Sequence, residues 1–498
     1  MELNFERRDF SCLEAALREV RSSEQTQTIV LPDGMPDVGK VLGAWGQCIQ
    51  RGKEWRGSDI VFTGGMMVWV LYAPEDGSEP RWIDAWVPFS LQWDLPDGTP
   101  EGDIRMKSLV RSVDARSVSP RKLLVRAGMG VMAEAWVPKT MAVTEPAEEM
   151  PGVALLKSVY PVRLSKEAGE KTFLIDEELS LPDTAPQPDK LCYYRMDVQI
   201  TDKKVLTGKV VFRGAGKLHV LYHSEEGRYN QFDTEVAFSQ YADLGGEYGS
   251  DALAEILPEV TSLELDTDDM GRLRLKAGVV AQFLVTDLEP LAVIEDAYCP
   301  GRESELQKES LAVPALLDFR QEVLAGECSI NGTEGVVADT LFLPDFPRGQ
   351  RTDTGVELEV PGTVQVLSYG EDGVIQCGTG RWEARQVIAA DEQSALWALP
   401  CFANVQAIPA AGGIQVKAEV NLGVTASGGL GIPMVTGVCL GESAKPDPGR
   451  PSLILRRAGD ARLWDIAKSA GSTVSAIRKA NNLQSEPAPD QMLLIPVP

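Results

Sequence analysis

Two histidines in 498 residues leave imidazole chemistry almost no foothold. They are His219 and His223, and neither stands in a nucleophile motif. Four residues apart on a helix they would suit a metal, but they fall across the end of an alternating strand. There four steps separate side chains by about 13 Å, so both are read as surface or edge residues with no metal between them. The eight cysteines (12, 48, 192, 299, 328, 377, 401, 439) include no CxxC pair and are read as reduced thiols. No run approaches the apolar length that spans a bilayer, and the polar start from Met1 to Asp9 is unlike a secretory leader. The expectation is a cytosolic chain without membrane insertion.

Phosphate-loop chemistry is missing too. Gly214-Ala215-Gly216-Lys217-Leu218 has Val211 where the first glycine belongs and Leu218 where magnesium needs a hydroxyl. The segment is read as a flexible lead into a strand. With 73 acidic residues, any carboxylate pair is uninformative, so nothing positive supports a glycosidase. The chain is expected to be no enzyme and to carry no cofactor.

What is abundant is negative charge, at a net −25. From residue 450 onward there are seven Lys/Arg against four Asp/Glu, a local +3; the remainder holds 41 against 69, or −28. An acidic body argues against nucleic acid or an anionic membrane as a direct partner. At 44% hydrophobic residues and this length, several cores are expected.

One pattern recurs three times. Val68-Trp69-Val70-Leu71-Tyr72 precedes Glu75-Asp76-Gly77, His219-Val220-Leu221-Tyr222 precedes Glu225-Glu226-Gly227, and Val364-Gln365-Val366-Leu367 precedes Glu371-Asp372-Gly373. Each is an alternating strand entering an acidic turn closed by glycine, with the leucine six residues before that glycine. Further on come Val125-Arg126-Ala127, Leu275-Lys276-Ala277 and Val416-Lys417-Ala418. Phe89-Ser90 and Phe238-Ser239 mark an intermediate strand that the third copy lacks. Periods of 150 and 146 residues mean whole repeated domains. Short Val/Leu/aromatic strands split by Gly, Pro and Asp predict a mainly β chain of sandwich-like or barrel-like repeats. Linkers are expected near 138–153, 300–309 and 441–451. Ahead of the first repeat, Phe10, Leu13, Leu17 and Val20 share a helical period and predict an amphipathic helix over 1–25.

The tail reads differently. Leu453-Ile454-Leu455 is a short strand, and Leu463, Ile466 and Ala467 line one helix face. Thr473 or Ser475 caps a second helix with Ile477 and Ala480, and Met492-Leu493-Leu494-Ile495 closes the unit. This βααβ order over 450–498 resembles a LysM module. The three repeats, at 26–140, 165–298 and a divergent 310–440, resemble SPOCS domains, on the strength of Pro36-Asp37-Val38-Gly39-Lys40-Val41-Leu42 and Val205-Leu206-Thr207-Gly208-Lys209-Val210 as well. Three such repeats before one LysM module is similar to the architecture of SipL-like proteins of clostridia.

That resemblance implies a non-enzymatic spore-coat scaffold in the mother-cell cytoplasm at the outer forespore membrane. It implies docking through the LysM module on the coat-basement ATPase, stage IV sporulation protein A, and contact with other coat proteins. The alternative is a cell-wall protein whose LysM module binds peptidoglycan- or chitin-type glycan. In glycan-binding LysM modules the sugar lies between the loops that here are 459–462 and 484–490. Gly459 stands five residues before Trp464, and Asp490 replaces a usual glycine, so both loops depart from that pattern. The expected partner-binding set is Arg456, Arg457, Gly459, Asp460, Arg462, Trp464, Arg478, Lys479, Asn481 and Asn482, with Trp464 partly exposed as the anchor. In the body, Val87, Phe89, Leu91 and Trp93 alternate as a core face, whereas Trp82 and Trp86 share the opposite phase and are the candidate interface pair.

Overall fold

The computed structural model describes residues 2–145, 152–268, 272–392, 394–443 and 451–497. A short β1 (Glu2–Asn4) precedes the first repeat: β2 (Glu6–Val30), β3 (Val38–Arg56), β4 (Asp59–Pro74), β5 (Arg81–Asp94), β6 (Asp103–Ser119) and β7 (Lys122–Glu145). The second is β8 (Ala154–Leu179), β9 (Pro188–Leu206), β10 (Lys209–Ser224), β11 (Tyr229–Asp243), β12 (Leu253–Thr267) and β13 (Leu273–Tyr298). The third is β14 (Arg302–Asn331), β15 (Val336–Pro344), β16 (Arg348–Thr352), β17 (Gly355–Tyr369), β18 (Ile375–Ile388), β19 (Ala395–Ala410) and β20 (Gly413–Ser443). The tail follows as β21 (Leu453–Arg457), α1 (Leu463–Ala470), α2 (Val474–Asn481) and β22 (Met492–Pro496).

Each repeat is a sandwich of two antiparallel sheets. In the first, one sheet runs β2-β7-β6 and the other β3-β4-β5; the second repeat copies both. In the third, β15 and β16 together replace a single strand, broken at Asp345-Phe346-Pro347, and β18 supplies the intermediate strand despite its missing motif. The mainly β expectation therefore holds in all three. The acidic turns close as their sequence demands: Gly77, Gly227 and Gly373 have φ of 76°, 77° and 75°, a region a Cβ disfavours.

The helix expected over 1–25 does not form. Residues 6–30 are strand β2, paired along β7 from Glu6↔Glu145 to Val30↔Lys122. Phe10 and Cys12 are buried in strand alternation, Leu13 and Leu17 are half-buried, and Val20 is exposed. A full-length strand partner decides the matter, because a continuous ladder along β7 and burial of alternate side chains replace the local bonds of a helix. The repeats consequently start earlier than their motifs, and 302–309 is strand rather than linker. Of the linker expected at 138–153, residues 138–145 are strand as well. Residues 146–151 and 444–450 lie outside the described residues.

The three sandwiches close around a pseudo-threefold axis. Register aligns Cys12, Val162 and Val313 on the opening strands, and Val143, Val293 and Met434 on the closing ones, in one shared core. The three repeated leucines, Leu71, Leu221 and Leu367, meet in a second shared core with Trp45, Trp69, Trp82 and Tyr193. All three leucines are almost fully buried, which is why that position recurs.

Candidate functional site

The terminal module builds its own small core from Leu463, Ile466, Ala467, Ile477, Leu493 and Ile495. Thr473 caps α2 by accepting from the Ala476 N–H at 3.1 Å. No side chain of Arg462 caps α1; instead Glu486 Oε2 accepts from the Leu463 N–H at 2.8 Å, a carboxylate placed at the positive end of the helix. Arg478 lies 3.7 Å from the other oxygen of that carboxylate, and the Gly459 N–H donates to Pro489 O at 2.8 Å. The two loops that flank a LysM sugar groove are thus tied together across Glu486. Asp490 keeps a negative φ, so the missing glycine is accommodated without strain.

The module sits against the second repeat. Trp464 is 7% exposed, contrary to the expected exposed anchor. Its ring meets Tyr298 edge-on at 4.9 Å and its Nε1–H donates to Asp296 Oδ2 at 2.8 Å. Lys468 Nζ reaches the same carboxylate at 2.7 Å, and Tyr298 donates to Ser472 O at 2.9 Å. Burial alone would raise the Asp296 carboxyl; hydrogen bonds from Lys468 and Trp464 outweigh it and hold the group below its ordinary value. Burial pushes the Tyr298 hydroxyl up to about 12. The Trp464 side chain is therefore taken up by a contact within this chain and not presented to a partner.

Asn481 and Asn482 also prove structural. Asn481 accepts from Leu494 N–H at 2.7 Å and donates to Leu494 O at 2.6 Å, imitating a neighbouring strand on the β22 edge. Asn482 ends α2 with φ 52°. Gly459 carries the loop-to-loop bond, and Arg462 pairs with Asp465 at 3.1 Å. Arg456, Arg457, Gly459, Asp460, Arg462, Arg478, Lys479 and Asn482 are the exposed members of the expected set.

In the body, Trp82 is 7% exposed and lies tilted against Trp45, ring centres 4.8 Å apart, in the axial core. Trp86 is half-buried, lying over Gly65 with the Arg51 guanidinium 5.2 Å from its ring. They do not form an exposed pair. The expected core face holds: Val87, Phe89 and Trp93 are buried and Leu91 is half-buried. The glycine-rich segment 214–218 is the interior of β10 rather than a flexible lead. His219 is not an edge residue either. It bridges repeats two and three, Nδ1 at 2.7 Å from Asp233 and Nε2 at 2.9 Å from Asp339, whose carboxylate is 1% exposed. Nothing local in the sequence joins residues 219 and 339. All eight cysteines are free, and no His/Cys/Asp/Glu cluster able to hold a metal occurs among the described residues.

Asp296→Ala is expected to release the module. It leaves the Trp464 N–H and the Lys468 ammonium without their acceptor, a loss of about 1–3 kcal/mol. Hydrogen exchange at α1 should quicken while β13 stays protected; unchanged exchange at α1 would show that docking does not depend on this carboxylate.

Residues 187–266 match the family model described as SipL, SPOCS domain, and residues 457–496 match the LysM domain model. The first match covers β9 to β12, the part of the second repeat whose strand order the first repeat shares. No curated protein and no solved structure matches the chain. The two matches support a sporulation protein carrying a LysM module. No helix among the described residues is long and apolar enough to cross a membrane.

Proposed function

We propose that this protein is a non-enzymatic sporulation scaffold, a three-repeat platform that presents a LysM module to a protein partner. The partner in this reading is the stage IV sporulation protein A-like ATPase of the coat basement, with other coat proteins on the acidic repeats. It places the chain in the mother-cell cytoplasm at the outer forespore membrane and coat surface. One observation carries it. The module is held on β13 through Asp296 with Arg456, Arg457 and Lys479 exposed, while Glu486 ties the second loop to the start of α1. Exposed basic side chains on an otherwise acidic chain are suited to steering a charged protein surface, and loops that depart from the usual sugar-groove pattern favour a protein partner.

A second reading, glycan binding, is favoured by the LysM match itself. Full-length chain should capture purified stage IV sporulation protein A. Arg456→Glu/Arg457→Glu/Lys479→Glu should weaken capture by about tenfold or more, chiefly through association rate. Sedimentation with peptidoglycan or chitin, together with no capture of the protein, would replace the scaffold reading with wall binding.

A further inference from the structure

Where the three repeats meet there is a cavity of about 760 Å³, within the range of small-molecule sites. Its walls come from all three repeats: Leu13 and Trp136, Leu253 and Leu284, and Leu316 and Phe319. The pseudo-threefold pattern explains why space is left here. Five residues before the aligned Met141, Leu291 and Ile432 stand Trp136, Thr286 and Ser427, and the next positions are Val137, Asp287 and Gly428. The first repeat fills this level with an indole. The third, with Ser427-Gly428-Gly429 paired to Pro314-Ala315-Leu316, leaves it open, and a Cβ at Gly429 would meet nothing within 4 Å.

The polar groups on the wall are mostly neutralised. Lys139 pairs with Glu14 at 2.5 Å, Arg18 with Glu134 at 2.9 Å, and Glu255 with Arg105 at 3.4 Å. Lys203 is the exception. It enters from β9 and sits 5.0 Å from the Phe319 ring of the third repeat. No carboxylate among the described residues lies within ion-pair distance of it; burial outweighs the charge of Glu255, on the same wall, and lowers its ammonium below the ordinary lysine value. Lys204 follows at the exposed mouth. A largely apolar chamber with one half-buried ammonium that has no direct ion-pair partner near its opening is complementary to an apolar chain ending in an anion.

We propose that this junction cavity binds an aliphatic carboxylate, its chain along Leu253, Leu284, Leu316 and Phe319 and its head on Lys203. Such a ligand would touch all three repeats at once and brace their closure.

The test is calorimetric titration of the full chain with decanoate and with decyltrimethylammonium, both below their micelle concentrations. Saturable one-to-one binding of decanoate alone is expected. Lys203→Met should weaken it by about tenfold or more, the worth of a charge-assisted contact, with an unchanged melting temperature. Ser427→Trp, which copies the first repeat's residue, should abolish binding; circular dichroism confirms that this variant is folded. Absence of saturation in the wild type, equal binding of the cation, or undiminished affinity in folded Lys203→Met or Ser427→Trp would each overturn the proposal.

Discussion

Arg105→Met should destabilise the protein by about 3–5 kcal/mol, the range for stripping the counter-ion from a buried carboxylate. Arg105 on β6 is 1% exposed, 3.1 Å from Glu134 of its own repeat and 3.4 Å from Glu255 of the second. Its Nε and Nη2 have no partner, so it is held by charge more than by a full set of hydrogen bonds. Methionine preserves much of its volume while leaving the buried Glu134 with Arg18 alone and the half-buried Glu255 without its main counter-ion. Adding Glu134→Gln and Glu255→Gln to that variant should recover most of the loss, since uncharged groups have far less desolvation to overcome.

The acid limb carries the same signature. Burial alone would raise the Glu255 carboxyl, but Arg105 outweighs it and holds the group below its ordinary 4.5. A depressed carboxylate contributes stability above its unfolded value and loses it as pH falls through the folded one. Wild-type stability should therefore decline below about pH 4.5, with Arg105→Met lying on a flatter curve. Urea unfolding across that range is the measurement. A single substitution within about 1 kcal/mol of wild type would show that the cluster does not hold the first two repeats together.

His219→Gln should cost about 3 kcal/mol, because it abandons Asp339 in the contact between the second and third repeats. Burial opposes charge on this imidazole, yet Asp339 and the hydrogen bond to Asp233 prevail and push its pKa up to about 10 from 6.5. The sign follows from linkage. The folded state holds the proton more tightly, so the stabilisation is complete below about pH 6.5 and fades as pH rises through about 10. Stability of the wild type should fall between pH 7 and pH 10, and His219→Gln should lose this part of the slope. A variant with the wild-type slope would show that the imidazole is not the titrating group. At neutral pH the residue is a fixed positive charge, an orienting device for one of three otherwise similar contacts.

That non-equivalence illustrates what sequence reading reached and missed. The repeated positions give Trp69, His219 and Gln365 as counterparts around the axis, each two residues before its buried leucine. The repeat spacing exposed the correspondence, but not that Asp339 would stand opposite His219. The burial of Trp464 has a related cause. Within its own helix it sits beside the apolar stripe and reads as exposed, and only Asp296 and Tyr298, 168 and 166 residues away, cover it. Trp82 likewise reads as the off-phase side of β5, and that side is the axial core.

Local chemistry alone determined the mainly β class, the three-copy organisation, the turns closed by Gly77, Gly227 and Gly373, and the two helices of the tail, the second with its own cap. Each of these rests on interactions within a few residues, so strand alternation, positive-φ glycine and a Thr473 cap are enough to specify them. The tertiary structure decided the rest: that residues 6–30 are strand, that three sandwiches close on one axis, that a cavity opens where the third repeat carries serine and glycine, and that the terminal module rests on β13. Those outcomes depend on which distant strand or carboxylate becomes a neighbour. A period of two or 3.6 says which face is apolar, and it carries no information about what that face will meet.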